Sequence, residues 1–381
     1  MQENDKKLKK KPVIEKINGG KLPVVILGAT GMVGQMFVHL LTNHPWFEIK
    51  ALTGSPRSAG NRYGDVCRWR VSADIPSEIA DMVVRKSTCI EVDKSLPQTG
   101  SSRIAFSGLD ASVAGEIEDE FARSGYAVLT NARNHRMEPD VPLIIPEVNP
   151  DHLKLIPIQQ KQRNQTGFIV ANPNCLTIAM TLALAPLHRA FGVDQVIAST
   201  LQAVSGAGYP GCSALDMIGN AVPYIPNEEE KIAIEPRKIL GEFEEDHIRL
   251  DPIKISASVN RAPIVDGHLI NIFVRFRNAA SISQLTRAFQ EFRGLPQSLN
   301  LPTAPEMPIV YRPELDRPQP RRDLLIGRGM SVVVGRVRKS AVLDAKFVVL
   351  GHNTIRGAAG ASILNAEILR QYFPLTLRRE K

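Results

Sequence analysis

The chain lacks any long run of apolar residues, although hydrophobic residues make up 43% of its 381 positions. No stretch approaches the roughly 20 apolar residues that a membrane-spanning helix needs. The first residues also lack the apolar segment and the small-residue cleavage site of a secretory signal. We therefore expect a globular cytoplasmic protein with no membrane partner, and its length favours two domains over one large core.

Cysteine is scarce, and the four cysteines are widely separated with no C-x-x-C pair. This spacing argues against a disulfide framework and against a structural zinc site. We expect free thiols and no bound metal. The four residues are Cys67, Cys89, Cys175 and Cys212.

Aromatic residues are also few, at 6% of the chain, while the formal net charge is +8. Residues 1–20 hold six lysines and three acidic residues, and we expect them to form a flexible, solvated tail. The later basic residues are dispersed with few aromatics among them, which argues against a nucleic-acid partner. The rest of the chain also has a net positive charge, which favours binding of anionic small molecules.

Strand-like and helix-like segments alternate over the first half of the chain. The segments "VVIL", "FEIKALTG", "RIAFSG", "AVLTNA" and "PLIIPEVN" are typical of strands, and helical segments lie between several of them. This alternation predicts an α/β fold with a Rossmann-type parallel sheet. After about residue 190, longer alternating strands predict an α+β domain whose mixed or antiparallel sheet leaves one face open to a partner.

The segment "GATGMVG" is a glycine turn that follows a predicted strand and opens a predicted helix, with a third glycine at position 34. Missing side chains let backbone amides approach a pyrophosphate at the helix N-terminus. In this context dinucleotide binding is favoured over a merely tight turn. The residues expected to contact the cofactor are Gly28, Thr30, Gly31, Met32 and Val33.

The end of the second strand indicates which dinucleotide is bound. An acidic residue here would bind a ribose 2′-hydroxyl, but the chain has "TGSPRSAG" instead. Ser55, Arg57 and Ser58 offer a cation and hydroxyl groups, which suit a 2′-phosphate. The sequence thus favours NADP(H) over NAD, the alternative being an ordinary polar loop.

The segment "ANPNCLTIAMTLALAPLH" places Cys175 at the start of a run with helical spacing. One interpretation is a buried cysteine that packs as a small hydrophobic residue. The other is a helix N-terminus whose positive end lowers the thiol pKa and supplies a thiolate nucleophile. This window alone leaves both open.

Six motifs occur in the order found in aspartate-semialdehyde dehydrogenases: "GATGMVGQ", "NPNC", "LQAVSGAGYPG", "NEEEK", "NRAPIVDGH" and "HNTIRGAAGAS". The chain resembles this family from about residue 22 to 373, and it is more similar to the archaeal and fungal branch than to the commonest bacterial one. The resemblance implies NADPH-dependent reductive dephosphorylation of L-4-aspartyl phosphate to L-aspartate 4-semialdehyde, in lysine, methionine and threonine synthesis.

The resemblance also implies roles for individual residues. Cys175 matches the nucleophile that carries the acyl group as a thioester, and His268 matches the acid/base that moves the proton. Gln202 matches the residue that orients the intermediate. Arg261 matches the residue that grips the substrate carboxylate through two hydrogen bonds.

A cationic phosphate site is implied as well. Glu228 and Lys231 match the family's ligands for the substrate amine and phosphate, and Arg136 and Asn174 complete the phosphate cradle. Asn353 and Thr354 match the C-terminal return that contacts the nicotinamide.

A second E-x-x-K pair, Glu235 and Lys238, lies seven residues after the first pair. Counted from Arg261, the earlier pair has the family's separation. We therefore expect Lys238 to lie at the surface and to tolerate alanine within about 0.5 kcal/mol.

The expected organisation is a tail at 1–20, an NADP-binding domain at 21–173 plus 350–381, and a catalytic and dimerisation domain at 174–349. "GAAGASILNAEILRQYF" predicts a closing helix on the first domain, and the proline-rich segment around residues 301–322 a long connection.

The expected assembly is a homodimer, and the sequence leaves open whether dimers pair into tetramers. The alternative enzymes are acyl reductases like malonyl-CoA reductase or N-acetylglutamyl-phosphate reductase. A non-catalytic NADP-sensing regulator is the alternative of another class.

Overall fold

The structure is a computed structural model that describes residues 21–96 and 103–372. The lysine-rich segment predicted to be a flexible tail lies outside these residues. Within the described ranges the strands form two six-stranded sheets and one two-stranded hairpin. The predicted α/β class, with a Rossmann-type sheet and a second mixed sheet, is confirmed.

The first sheet has the order β3-β2-β1-β4-β5-β6, and every pairing in it is parallel. Apart from the edge strand β3, its strands are mainly apolar and buried, as expected for a sheet covered on both faces. They are β1 (Leu22–Leu27), β2 (Phe47–Gly54), β3 (Val84–Lys86), β4 (Ile104–Ser107), β5 (Ala127–Thr130) and β6 (Phe168–Ala171).

The second sheet has parallel pairings at its two ends and antiparallel pairings between them. Its order is β10-β7-β11-β14-β13-β12. The strands of the second half are β7 (Val193–Leu201), β8 (Glu242–Glu244), β9 (His247–Arg249), β10 (Lys254–Ser258), β11 (His268–Phe276), β12 (Ile309–Arg312), β13 (Val332–Lys339) and β14 (Ala345–Gly351), of which β8 and β9 form the hairpin.

Helices pack against both sheets, and the alternating burial along β7, β10 and β11 leaves one face of the second sheet partly exposed. The α-helices are α1 (Met32–Leu41), α2 (Tyr63–Val66), α3 (Ser77–Ala80), α4 (Cys89–Asp93), α5 (Ala111–Arg123), α6 (Leu155–Gln162), α7 (Cys175–Phe191), α8 (Ala214–Met217), α9 (Glu228–Ile239), α10 (Ile282–Glu291), α11 (Leu295–Ser298), α12 (Pro320–Asp323) and α13 (Gly360–Tyr372). Short 3₁₀ turns occupy Pro150–Lys154, Val204–Ala207 and Ile326–Gly329, and a π-helix occupies Ile355–Ala359. None of the helices in the described part of the chain is both long and apolar enough to cross a membrane.

The most buried helix is α7, which is apolar on all sides and packs against the second sheet and against α9 and α10. A helix without a polar face belongs in the core. Its N-terminus emerges directly after β6, so this end lies where the two sheets meet. The π-helix packs against both α7 and α1, and α13 packs against β5.

Two sequence expectations need correction. The segment "PLIIPEVN" forms no strand, and only Leu143 makes an isolated bridge, to Ala171. Asn149 is the cause, because its side-chain amide accepts from the Ile145 N–H and donates to the Leu143 carbonyl, both at 2.9 Å. These bonds replace those of a strand partner. The proline-rich connection is also less irregular than expected, since it contains β12, paired parallel to β13.

Candidate active site

Cys175 is the first residue of α7, and Asn174 caps that helix. The Asn174 Oδ1 accepts hydrogen bonds from the Leu176 N–H at 2.9 Å and from the Thr177 N–H at 3.3 Å. Asparagine is a favoured N-cap because it satisfies amides that have no partner within the helix. Cys175 is half-buried as a residue, whereas its neighbours on the helix are buried.

His268 faces this sulfur. Its Nε2 lies 3.1 Å from the Cys175 Sγ, and the ring is fully buried at the start of β11. The Ala203 N–H donates to the other ring nitrogen, Nδ1, at 3.1 Å. Since Nδ1 accepts, the neutral ring carries its hydrogen on Nε2, directed at the sulfur. His268 is thereby oriented as a hydrogen-bond donor to the reacting atom.

Of the two interpretations of this cysteine, the lowered thiol pKa is contradicted. Burial raises the pKa of the Cys175 thiol to about 12, and the Glu228 carboxylate adds to this shift, although Arg136, the Leu176 amide and Arg261 oppose it. A helix N-terminus contributes a partial charge, which the loss of water around the sulfur outweighs. Burial likewise lowers the pKa of His268 to about 3. The resting pair is a neutral thiol beside a neutral imidazole.

Gln202 and Arg261 lie next to each other just beyond β7, on segments joined by a parallel bridge. The Arg261 Nη1 donates to the Ala203 carbonyl at 2.7 Å, which holds the guanidinium beside His268. Gln202 is buried, and its Nε2 has no hydrogen-bond partner among the described residues. An unpaired buried amide is costly, so this N–H group is available to a ligand oxygen.

Glu228 and Lys231 meet at the start of α9, where the Lys231 Nζ lies 3.0 Å from Glu228 Oε2. The other carboxylate oxygen accepts from the Asn174 Nδ2 at 3.0 Å, which ties the pair to the nucleophile's cap. Burial alone would raise the pKa of Glu228, but Lys231 and Asn174 outweigh it, and the carboxyl pKa falls below its usual value. Lys231 keeps about a quarter of its side chain exposed, at 23%, and can reach a bound anion.

Arg136 is buried beside the cap. Its Nη1 donates to Glu235 Oε1 at 2.9 Å and its Nη2 to the Asn131 carbonyl at 2.7 Å. Its Nε has no hydrogen-bond partner in the described part of the chain. The structure therefore brings Arg136, Asn174, Glu228 and Lys231 together around the thiol.

Lys238 is not at the surface, so the expectation of a tolerant surface lysine is wrong. It is 3% exposed, and its ammonium donates to three backbone carbonyls, of Arg136 at 2.9 Å and of Glu138 and Val141 at 2.7 Å each. Helix periodicity places Lys238 almost two turns after Lys231, on the same side of α9, and at that position the carbonyls of the 136–141 loop cover its ammonium.

The glycine turn fits a dinucleotide. Gly28 has φ +73°, and a Cβ built there would lie 3.0 Å from the Gly108 carbonyl oxygen. A Cβ on Gly34 would come within 2.2 Å of the Gly28 carbonyl oxygen, so only glycine lets α1 start so close to β1. The amides of Met32 and Val33 point out of this turn at the N-terminus of α1, where an anion is favoured. Thr30 and Gly31 complete the turn.

Ser55, Arg57 and Ser58 follow the end of β2, at the same edge of the sheet as the glycine turn. Ser55 and Arg57 are exposed, and the two serine hydroxyls lie 3.5 Å apart. Parallel α/β sheets bind ligands at this edge, beyond the carboxyl ends of the strands.

Asn353 and Thr354 are buried where β14 leads into the π-helix. The Asn353 Oδ1 accepts from the Gly267 N–H at 2.8 Å, and its Nδ2 donates to the Ser205 Oγ at 2.7 Å. Asn353 thus joins the turn before His268 to the segment that follows Gln202. Its side chain contacts protein on both sides in this structure.

Two glycines that the sequence did not single out are required at the site. A Cβ on Gly357 would lie 2.6 Å from the Cys175 Cβ, and a Cβ on Gly206 would lie 3.1 Å from both Arg261 Nη1 and His268 Cε1. They let the π-helix and the 204–207 turn approach the reacting residues. The sequence could have indicated both glycines, because Gly357 lies in "IRGAAG" and Gly206 in "VSGAG", and both segments adjoin residues assigned to the site.

No group of three histidine, cysteine or acidic side chains within residues 21–96 and 103–372 is arranged to hold a metal ion. The fold and the site together define a class of protein: a two-sheet α/β protein with a glycine turn of the dinucleotide-binding type on one sheet. Beside the other sheet lies a cysteine at a helix N-terminus, flanked by histidine, arginine and lysine side chains.

Comparison with known proteins identifies the family within this class. A model of the semialdehyde dehydrogenase NAD-binding domain matches residues 23–156, and one of the semialdehyde dehydrogenase dimerisation domain matches residues 184–356. The aspartate-semialdehyde dehydrogenase of Methanothermobacter thermautotrophicus is 48% identical over 350 residues, covering 91% of this chain and 99% of that protein. That of Saccharomyces cerevisiae is 43% identical, covering 92% and 98%. This chain belongs to the aspartate-semialdehyde dehydrogenase family.

Solved structures agree. The NADP-containing aspartate-semialdehyde dehydrogenase of Candida albicans has a TM-score of 0.84 at 41% identity, covering 92% of this chain and 99% of that one. Aspartate-semialdehyde dehydrogenase II of Vibrio cholerae, complexed with ASA, has a TM-score of 0.71 at 25% identity, covering 93% and 100%. The resemblance to the archaeal and fungal branch predicted from the sequence is confirmed.

Proposed function

We propose that the protein catalyses the NADPH-dependent reductive dephosphorylation of L-4-aspartyl phosphate to L-aspartate 4-semialdehyde, in the biosynthesis of lysine, methionine and threonine. The family membership supports this reaction. The observation that carries it is the contact of Cys175 with His268 at 3.1 Å, with the guanidinium groups of Arg136 and Arg261 close enough to act on the thiol. A nucleophile placed among anion-binding groups suits an acyl phosphate.

In the proposed reaction the Cys175 sulfur attacks the acyl carbon, and the phosphate leaves to give a thioester. The departing phosphate takes up the proton that the thiol loses. When bound, NADPH supplies the hydride that reduces the thioester. His268, as the acid/base, donates the Nε2 hydrogen bond that stabilises the oxygen of the resulting thiohemiacetal. When the carbon–sulfur bond breaks, this oxygen becomes the aldehyde carbonyl, and the sulfur leaves as a thiolate that regains one proton from solvent by way of His268, which restores the neutral thiol.

The surrounding residues bind and orient the substrate. We assign the α-carboxylate to Arg261, the amine to Glu228 and the phosphate to Lys231, Arg136 and Asn174. The Arg136 Nε and Gln202 Nε2, which have no hydrogen-bond partner within the described residues, support this assignment, because both are buried donors that a ligand oxygen would satisfy. Gln202 then holds the acyl oxygen of the intermediate.

NADP(H) is proposed as the preferred dinucleotide, in agreement with the NADP in the Candida albicans structure. The turn formed by Gly28, Thr30, Gly31, Met32 and Val33 would hold the pyrophosphate. Ser55, Arg57 and Ser58 would hold the 2′-phosphate. Asn353 and Thr354 would border the nicotinamide.

The match to a dimerisation domain supports homo-oligomerisation. We propose a homodimer formed through the outer face of the second sheet. On β7 the buried Val196, Ala198 and Thr200 alternate with the exposed Ile197, Ser199 and Leu201, so the outward face of the strand carries two large apolar side chains. The domain limits and the cytoplasmic location predicted from the sequence are part of the same proposal.

One pair of assays tests the function. Purified protein should reduce NADP when given L-aspartate 4-semialdehyde and inorganic phosphate, and should show no comparable rate with malonate semialdehyde and CoA. A higher rate with the second pair would favour a malonyl-CoA reductase. Binding of NADP without turnover of either substrate would favour a regulator.

A further inference from the structure

The two E-x-x-K pairs of α9 lie on one face of the helix, two turns apart. The first pair, Glu228 and Lys231, belongs to the substrate site already described. The second pair is more deeply buried, with Glu235 2% exposed and Lys238 3% exposed. Buried charges of this kind need a specific set of partners, because taking them out of water is unfavourable.

Glu235 uses both carboxylate oxygens at the active site. Its Oε1 accepts from the Arg136 Nη1 at 2.9 Å, and its Oε2 accepts from the Asn174 backbone N–H at 2.7 Å. Asn174 is the residue that precedes the nucleophile. One carboxylate therefore fixes the distance between the phosphate-binding guanidinium and the start of the helix that carries Cys175.

Lys238 uses all three ammonium hydrogens on one loop. The carbonyls of Arg136, Glu138 and Val141 all accept from its Nζ within 2.9 Å. A lysine has three donors and no acceptor, so this arrangement satisfies it completely. It holds the 136–141 loop against α9 and thereby sets the position of the Arg136 backbone, while Glu235 sets the direction of its guanidinium.

We infer that Glu235 and Lys238 are positioning residues for the phosphate site, acting through Arg136 and Asn174 without touching the substrate. This inference rests on the proposed function. With Nη1 on Glu235 and Nη2 on the Asn131 carbonyl, the guanidinium has one orientation, and Nε, which has no partner in the part of the chain that the structure describes, is left as the donor for the anion. A site that must accept a dianion in one geometry depends on such preorganisation.

The test compares Glu235→Gln and Lys238→Met with Lys231→Met, a direct phosphate ligand, and with Glu230→Gln. Glu230 is an exposed glutamate of the same helix and provides the matched control. Kinetics with L-aspartate 4-semialdehyde give KM for inorganic phosphate, KM for NADP and kcat. Calorimetric titration with inorganic phosphate gives its affinity without turnover.

We expect Glu235→Gln and Lys238→Met to weaken phosphate binding and to raise the phosphate KM at least about tenfold, with the NADP KM within about twofold of wild type. Glu230→Gln should leave all values unchanged. A merely structural role would lower the unfolding midpoint and leave the phosphate affinity of the folded protein intact, and that result would overturn the inference. If Lys238→Met does not fold, Glu235→Gln decides alone, since it keeps the side-chain volume.

The two proposals fail in different ways. An inactive wild type with both substrates would refute the proposed function, and calorimetry with phosphate would still decide on the positioning pair. An active wild type whose phosphate affinity is unchanged in both variants would refute the positioning role and leave the function standing.

Discussion

The candidate active site is built from buried side chains, whereas the glycine turn of the cofactor site is built from backbone. Around Cys175 the groups come from five separated segments and are held by hydrogen bonds between side chains and from backbone amides to side chains. At the glycine turn the groups are consecutive amides, and the nearby Ser55 and Arg57 are exposed. The properties of the active-site groups therefore depend on their removal from water. The shape of the glycine turn depends on the absence of side chains that would clash with the backbone.

This difference separates what substitutions should do in the two regions. A change among the buried charges leaves a partner unpaired in low dielectric and should affect stability or chemistry strongly. A change at the exposed loop removes one contact to the cofactor and should alter selectivity while the fold stays intact.

The largest effect is expected for Cys175→Ser. We expect turnover to fall by at least about a thousandfold, because a hydroxyl cannot replace the sulfur nucleophile. NADPH affinity, measured by fluorescence titration, should stay within about twofold, since the glycine turn is a separate backbone structure. Substantial residual activity would show that Cys175 is not the nucleophile that forms the thioester.

Lys238→Ala should cause the next largest change, a loss of about 2 to 4 kcal/mol in the free energy of unfolding. Three buried carbonyls would lose their donor, and a cavity would replace the side chain. Lys231→Ala, at the partly exposed pair, should lose less than about 1 kcal/mol. Denaturant unfolding of both variants measures the two losses of stability. Equal losses would contradict the conclusion that Lys238 is held more tightly by the fold than Lys231.

On the cofactor side, Arg57→Ala should weaken NADPH relative to NADH by about 1.5 to 3 kcal/mol, the value of a lost charge-assisted hydrogen bond. The unfolding midpoint should not move, because the side chain is exposed. Dissociation constants for the two dinucleotides provide the measurement. Equal weakening of both would show that Arg57 does not contact the 2′-phosphate.

The smallest effect concerns pH. Burial lowers the pKa of His268 in the native protein to about 3, whereas in the unfolded chain the pKa is about 6.5. As the pH falls below about 6.5, the unfolded chain therefore binds a proton at His268 and the native protein does not. The unfolded state binds more protons between these values, and His268 therefore costs the native protein stability as the pH falls below about 6.5. At pH 5 we expect a penalty of about 2 kcal/mol relative to pH 8. His268→Asn should remove it, and identical pH profiles of the two proteins would contradict the shift.

Much of the fold was predictable because its signals are local. The strand at "FEIKALTG" and the helix after "GATGMVG" follow from apolar periodicity and from glycines that only a tight turn requires. The strand predicted at "PLIIPEVN" is wrong because the deciding interaction is not visible in the apolar pattern. Its apolar residues are buried as a strand's would be, but the Asn149 side chain satisfies the backbone.

By itself, the sequence determined the glycine turn and the place of Cys175 at the start of a helix, since both depend on residues next to each other. It also carried the family motifs that name the site residues. Only the tertiary structure decided that the thiol is neutral, that the Ala203 amide directs the His268 hydrogen to the sulfur, and that Lys238 is buried under Arg136. Desolvation and hydrogen-bond partners come from segments far apart in the chain, and no local pattern records which of them will meet.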